Sequence, residues 1–354
     1  MKRIVLTGGG TAGHVTPNIA LLPRLRELGY DVHYIGTYDG IERDLIETLG
    51  IPYHGISSGK LRRYFSLRNF TDPIRILKGF KEARSLMKVL NPAIVFSKGG
   101  FVTVPVVYAA KSRKIPVIIH ESDMTPGLAN KLAIRTAAKI CCNFPETVGL
   151  LPEKKAILTG SPIRQELLSG NKINAQNFLS FTGDKPVILV AGGSLGAVSV
   201  NEAVRSALPE LLKTYQVVHL CGKGKLDKAL EGTTGYAQFE YIKEELKDIF
   251  ALADLVVSRA GANAICELLA LRKPNLLIPL PAKSSRGDQL LNAASFEHQG
   301  FSMVLNEDDM TTSVLVERIN CLYEKRQDFI QNMQNSGQQN SIDAIIDLIE
   351  DLHL

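Results

Sequence analysis

Two doubly wound α/β domains, each a parallel sheet with helices on both faces, are the fold this sequence predicts, and three observations carry the prediction. Short apolar, β-branched runs recur, each followed by a glycine-containing turn and a helical pattern, which is the signature of strand alternating with helix. The series restarts once, near residue 187. A length of 354 residues also exceeds what one hydrophobic core ordinarily supports.

The elements follow in order. Strands are expected at Ile4 to Leu6, Val32 to Ile35, Ile94 to Phe96 and Val117 to Ile119, then at Val187 to Val190, Val217 to Leu220, Leu255 to Val257 and Leu276 to Ile278. Between the two series lies Thr159-Gly160-Ser161-Pro162-Ile163-Arg164. A polar stretch through Asn171, Asn174, Gln176 and Asn177 then lacks the periodicity of a core element. A hinge near 160–164 divides a first domain, 1–160, from a second, 164–335. The polar segment Gln331 to Asn340 reads as a loop before a last helix from Ile342 to Leu352, and the terminal segment 341–354 is expected to pack back on the first domain.

Composition narrows the class. Hydrophobic residues at 45% and charged residues at 22% are globular proportions. No apolar run approaches the roughly 18 residues needed to cross a bilayer, and Met1-Lys2-Arg3 leads into a first strand rather than a signal peptide. The five cysteines have no CxxC spacing, which favours reduced thiols over disulfides or a zinc site.

The chemistry gathers in glycine-rich turns. Gly8-Gly9-Gly10-Thr11-Ala12-Gly13-His14 runs from the first strand into an apolar helix, where backbone N–H groups and the helix dipole can face an anion. Glycine there allows a phosphate to approach. The stretch also satisfies GxGxxG, so a dinucleotide-binding reading stands beside it, although Asp39 comes late for a ribose-binding carboxylate after the second strand. Ser97-Lys98-Gly99-Gly100-Phe101 and His120-Glu121-Ser122-Asp123 follow the next strands. The second half repeats the device at Gly192-Gly193-Ser194-Leu195-Gly196-Ala197 and at Ser258-Arg259-Ala260-Gly261-Ala262-Asn263-Ala264-Ile265-Cys266-Glu267. In open α/β sheets ligands gather outside the carboxyl ends of strands, so two such crevices are expected to bracket one cleft. Glu267, early on a helix that Gly261 opens, is placed to reach a ribose diol while the helix start faces phosphate. Gln289 after Arg286-Gly287-Asp288 offers another polar contact to a sugar.

These ordered segments, from residue 4 to about residue 300, resemble those of the MurG family of glycosyltransferases. The resemblance implies a GT-B fold of two Rossmann-like domains facing across a cleft. It also implies transfer of N-acetylglucosamine from UDP-N-acetylglucosamine to the muramyl C4 hydroxyl of an undecaprenyl-diphosphate-linked muramyl pentapeptide. It assigns the donor to Arg164, Ser194, Ile242, Ala262, Asn263, Ala264, Glu267 and Gln289, with the Ile242 backbone at uracil, Ser194 at the diphosphate, Glu267 at ribose and Gln289 at sugar hydroxyls. It lines the first domain's side with Thr11, Ala12, Gly13, His14, Gly99, Gly100 and Asp123. Two departures stand out. Ala12 replaces a common glycine, and Ser122-Asp123 replaces a usual Gln-Asn, which puts a carboxylate where the family carries an amide.

Inverting transfer needs a base for the acceptor hydroxyl and stabilisation of the departing diphosphate. No Asp-x-Asp and no His/Cys/carboxylate cluster of metal-ligand spacing occurs, so helix N-termini, Ser194 and Arg164 are expected to act without a metal, and no cofactor is called for. His14 is the first candidate base, because a helix start disfavours imidazolium. The alternative is a histidine that only hydrogen-bonds the glycine loop or an acceptor phosphate. Glu121 is the second candidate, and His120 reads as a satisfied core group.

One local concentration of the +5 net charge bears on partners. From Lys60 to Lys88 the chain carries nine lysines and arginines against Asp72 and Glu82, interleaved with Tyr64, Phe65, Phe70, Ile74, Ile76, Leu77 and Phe80. Basic plus aromatic residues suit docking on an anionic membrane surface, with a solvated helix face as the alternative and nucleic acid not taken as a partner. Peripheral attachment at the cytoplasmic face of the plasma membrane follows. A UDP-N-acetylglucosamine 2-epimerase, a non-catalytic sugar-nucleotide-binding subunit and a nicotinamide-dependent oxidoreductase are the competing readings.

Overall fold

The computed structural model describes residues 2–59, 68–193, 196–284, 287–337 and 341–353. Ser194 and residues 60–67 of the basic segment lie outside the described residues, as do the side chains of 68–71. Contacts divide the chain into two compact units, Met1–Arg164 with Asn340–Leu354, and Gln165–Gln339.

The first unit alternates β1 (Arg3–Thr7), α1 (Thr16–Glu27), β2 (Asp31–Thr37), α2 (Ile41–Glu47), β3 (Tyr53–Ile56), α3 (Arg68–Leu90), β4 (Ile94–Ser97), α4 (Thr103–Ser112), β5 (Val117–Glu121), α5 (Leu128–Ala133), β6 (Lys139–Cys142), α6 (Pro145–Gly149) and β7 (Ala156–Leu158). Its seven parallel strands lie in the order β3-β2-β1-β4-β5-β6-β7. Alternate residues of β1 face opposite sides. Ile4 and Leu6 join Leu21 and Leu25 of α1 on one face, and Val5 joins Met87 of α3 and Val106 of α4 on the other. Because both faces are covered, the central strands read as continuous apolar runs.

The second unit contains α7 (Lys172–Leu179), β8 (Val187–Ala191), α8 (Val198–Thr214), β9 (Gln216–Leu220), β10 (Tyr236–Phe239), α9 (Leu246–Leu252), β11 (Leu255–Ser258), α10 (Ala262–Ala270), β12 (Asn275–Leu277), α11 (Asp288–His298), β13 (Met303–Val304), α12 (Thr312–Glu324) and α13 (Arg326–Gln334). Its strand order is β10-β9-β8-β11-β12-β13. Val200, Val204, Leu208 and Leu211 recur at helical spacing on α8 and pack with Ile188, Val217 and Leu276. The last helix, α14 (Ser341–His353), buries Ile345 and Ile349 with Ile4 in the first unit. Ser341 Oγ donates to the Ser161 carbonyl at its start, and Lys2 pairs with Glu350 near its end.

Two expectations are corrected. The stretch from Asn171 to Asn177 is not irregular: Asn171 Oδ1 accepts from the N–H groups of Ile173 and Asn174 and so caps α7, which buries Ala175 and Leu179. Five strands, β3, β6, β7, β10 and β13, were absent from the apolar series. Four of them are sheet edges, short and covered less completely, so they carry polar residues such as His54 and Gln238.

Candidate active site

Both sheets start in the middle, wind outward to one edge and return, so each has a topological switch point where strand order reverses. In the first unit it lies between β1 and β4, and in the second between β8 and β11. The glycine turns singled out from the sequence sit at the carboxyl ends of these strands.

In the first unit the turn after β1 runs through Gly8–Gly10 into a 3-10 turn, Ala12–His14, just before α1. Gly9 N–H donates to the Gly99 carbonyl at 3.3 Å, which joins this turn to the one after β4. Gly10, Gly99 and Gly100 take φ of 85°, 98° and 90°, a region that side chains rarely enter. His14 is half-buried, and its Nδ1 lies 3.0 Å from the Gly9 carbonyl oxygen and 3.1 Å from Thr11 Oγ1. A carbonyl only accepts, so Nδ1 carries the hydrogen and, in the neutral ring, Nε2 carries the lone pair.

The first turn is expected to cradle a phosphate, and beneath it lies a buried carboxylate that takes one of its amides. Glu42, fully buried in the first turn of α2, accepts from Gly10 N at 3.2 Å, Thr37 N at 3.0 Å and Thr37 Oγ1 at 2.6 Å. A Cβ on Gly9 would lie 2.6 Å from Glu42 Oε1, so this glycine makes room for the glutamate. Sequence reasoning missed Glu42, although it looked for a carboxylate after β2; the residue comes three positions beyond Asp39, where spacing alone gives no signal.

Glu121 does not take the place of a base. It is buried, and its two oxygens accept from Asp123 N at 3.0 Å, Gly127 N at 2.9 Å and Asn130 Nδ2 at 2.8 Å, which shapes the turn after β5. Burial pushes its carboxyl up, and these hydrogen bonds pull the other way. His120 is a satisfied core histidine. Its Nε2–H donates to the Gly160 carbonyl at 2.9 Å, and Nδ1 accepts from the buried Lys98 ammonium at 2.6 Å. Burial, with the Lys98 charge beside it, pushes the imidazole well below its usual value. Lys98 also donates to Ser122 Oγ at 2.5 Å, which holds the serine of the Ser122-Asp123 pair. Asp123 itself is half-buried.

In the second unit, α10 starts at Gly261 in extended backbone with no side-chain cap, which leaves the geometry of a helix start suited to an anion. Ala262 is buried, while Asn263, Ala264 and Glu267 are half-buried on its first two turns. The buried Arg259 holds this switch point together. Its guanidinium donates to the carbonyls of Ile278 and Pro279 and to Ser199 Oγ, and it pairs with Glu307. Gln289 lies on the first turn of α11, where its Oε1 accepts from Leu280 N at 3.0 Å. Ile242 is half-buried in the loop after β10, and Arg164 is half-buried at the last residue of the first unit's main segment. A cavity of about 550 Å³ beside β10, lined by Leu226, Tyr236, Gln238 and Phe239 among others, includes none of these residues.

Residues 4–142 match the glycosyltransferase family 28 N-terminal domain, and residues 187–349 match the family's C-terminal domain. The UDP-N-acetylglucosamine–N-acetylmuramyl-(pentapeptide) pyrophosphoryl-undecaprenol N-acetylglucosamine transferase of Lachnospira eligens is 68% identical over 351 residues, 99% of each chain. The protein so named in Lachnoclostridium phytofermentans is 64% identical over 354 residues, all of each chain. The crystal structure of MurG from Acinetobacter baumannii is similar with a TM-score of 0.80 at 27% identity, covering 99% of this chain and 100% of that one.

Proposed function

The chain belongs to glycosyltransferase family 28, and from that membership we infer that it transfers N-acetylglucosamine from UDP-N-acetylglucosamine to pyrophosphoryl-undecaprenol-linked N-acetylmuramyl pentapeptide, a step of peptidoglycan precursor synthesis. Full-length identity of 68% to a transferase of that name is the observation that carries the reading.

In the mechanism proposed, the muramyl C4 hydroxyl attacks the anomeric carbon, the bond to the UDP oxygen breaks, and the configuration inverts. His14 Nε2 takes the hydroxyl proton; the Nδ1–H bond to Gly9 supports this by leaving the lone pair on Nε2. Most of the proposed donor contacts belong to the second unit. The start of α10 and Ser194, with Arg164, meet the diphosphate as negative charge develops on it, Glu267 grips the ribose, the Ile242 backbone meets uracil, and Gln289 reads the sugar. Thr11, Ala12, Gly13, Gly99, Gly100 and Asp123 line the acceptor side. No metal is invoked in these steps.

The lipid-linked acceptor calls for a membrane surface, and α3 offers one. Ile74, Leu77, Lys78, Lys81, Arg84 and Lys88 are all exposed and recur at helical spacing along one side of it. No helix among the described residues is long and apolar enough to cross a membrane. Peripheral docking of the 60–88 segment on anionic lipid at the cytoplasmic face is therefore proposed.

Incubation of the purified chain with labelled UDP-N-acetylglucosamine and a lipid-linked muramyl pentapeptide analogue tests the reaction. Label is expected in the lipid product, and chelator is expected to leave turnover intact. Hydrolysis or epimerisation of the donor without transfer would overturn the assignment.

A further inference from the structure

Glutamate is among the residues least often buried without a partner, yet Glu42 is fully buried and no lysine or arginine among the described residues pairs with it. What surrounds its carboxylate is a set of donors: Thr37 N–H, Thr37 O–H and Gly10 N–H. Bare glycine backbones also close around it, since a Cβ on Gly9 or Gly40 would lie 2.6 or 2.2 Å from Oε1. So constrained a site fixes the direction in which Oε2 presents itself to Gly10.

The Gly10 N–H and the Gly9 carbonyl belong to one planar trans peptide, so they point in opposite directions. Oε2 of Glu42 takes the N–H on one side, and Nδ1 of His14 meets the carbonyl on the other at 3.0 Å. A peptide whose N–H is held by a carboxylate is polarised toward a stronger carbonyl acceptor. The Gly9 oxygen also lies close against the Gly100 backbone, where a Cβ would come within 2.3 Å of it, so glycine at 100 makes room for this peptide in its observed orientation.

We propose that Glu42 is a positioning residue for His14, acting through the Gly9–Gly10 peptide to fix the ring's Nδ1–H tautomer and its orientation. The proposal rests on the reading of His14 as the base, and it adds the group that sets the base's tautomer. The arrangement does the work of a carboxylate that orients a histidine directly, with a peptide group interposed.

Glu42→Gln tests it. Its amide keeps one oxygen for Thr37 but turns an NH2 group toward the Gly10 N–H, two donors face to face, while volume is unchanged. Nitrogen-15 NMR of histidine-labelled protein, with the His14 signals identified by their loss in His14→Ala, reads the tautomer directly. The native chain is expected to show a protonated Nδ1 and an unprotonated Nε2. Glu42→Gln is expected to give a tautomer mixture and a kcat lower by about tenfold to a hundredfold, the range for groups that orient a histidine. The KM for UDP-N-acetylglucosamine is expected to stay within about twofold of native, because the donor is held elsewhere. In a His14→Ala background Glu42→Gln should cost nothing further. Thr37→Val, which removes one hydrogen bond to Oε1 and leaves the carboxylate, should shift both readouts the same way by less, and it serves if Glu42→Gln does not fold. An unchanged His14 nitrogen signature, or a full additional loss in the His14→Ala background, overturns the proposal. Should His14→Ala retain native turnover, the base reading falls, while the nitrogen signature still decides whether Glu42 sets the tautomer.

Discussion

The two units share a topology and differ in what lies buried at the switch point. In the first, two buried carboxylates are acceptors: Glu42 and Glu121 together take the N–H groups of Gly10, Thr37, Asp123 and Gly127, while the buried Lys98 donates to side chains, His120 and Ser122. In the second, the buried side chain is a donor: Arg259 takes the carbonyls of Ile278 and Pro279 and the Ser199 hydroxyl. A carboxylate floor uses up the amides that would greet a phosphate and repels the anion itself, whereas an arginine uses up carbonyls and leaves the helix start its positive end. Glycine-rich turns of similar appearance thus sit over different buried groups, which fits the proposed division in which the second unit reads the diphosphate and the loop of the first serves a proton acceptor. The contrast teaches that a glycine turn shows only that something approaches the backbone closely. The charge beneath it decides what.

Several substitutions break or sharpen this contrast. The largest effect is expected from His14→Ala, which should lower kcat by about a hundredfold to ten-thousandfold, with UDP affinity by calorimetry unaltered; a UDP affinity that falls with it would erase the division of labour. Arg259→Met comes next. It strips the donors from two carbonyls and leaves Glu307 unpaired, so a loss of about 3 kcal/mol in urea unfolding is expected, together with weaker UDP binding. Glu267→Ala should weaken UDP by about 1.5–3 kcal/mol, the cost of one charged hydrogen bond, without altering stability by a comparable amount; an unchanged dissociation constant would remove Glu267 from the ribose.

Acid sharpens what the units have in common. Each buries a histidine near a strand end, His120 in the first and His219 in the second, where Asn201 Oδ1 accepts from Nε2–H and Tyr236 O–H donates to Nδ1. Burial pushes His219 down to about 3, and His120 is likewise lowered. An unfolded chain protonates these rings below about pH 6.5, and the folded chain resists doing so. Their stabilisation is therefore fully present above pH 6.5 and is lost as pH falls, by about 1.4 kcal/mol per pH unit for each ring. Urea midpoints at pH 7 and pH 5 check this, and equal midpoints would falsify the neutral assignment. The smallest effect per residue belongs to α3. Replacing Lys78, Lys81 or Arg84 by Gln should weaken sedimentation with anionic liposomes by about 1 kcal/mol each, and 0.5 M salt should abolish it; liposome binding indifferent to charge and salt would remove α3 from the membrane.

Much of this was legible in the sequence. The central strands β1, β2, β4, β5, β8, β9 and β11 announce themselves because burial on both faces demands unbroken apolar runs, and their order with helices dictates parallel sheets. The glycine turns were found for the same reason, since left-handed backbone at Gly10, Gly99 and Gly100 calls for glycine wherever it occurs. Residues whose roles depend on distant partners were not legible. Glu42 is 32 residues from the Gly10 amide it holds, Lys98 is 22 from His120, and Arg259 is 60 from Ser199. Glu121 looked like a base by its neighbours and became a clamp only when Asn130 and Gly127 closed on it. Local chemistry and periodicity thus determined the architecture and the places where ligands could meet backbone. Only the tertiary structure decided the sign of the buried charge at each place, because that sign is set by side chains that sequence separation hides and packing brings together.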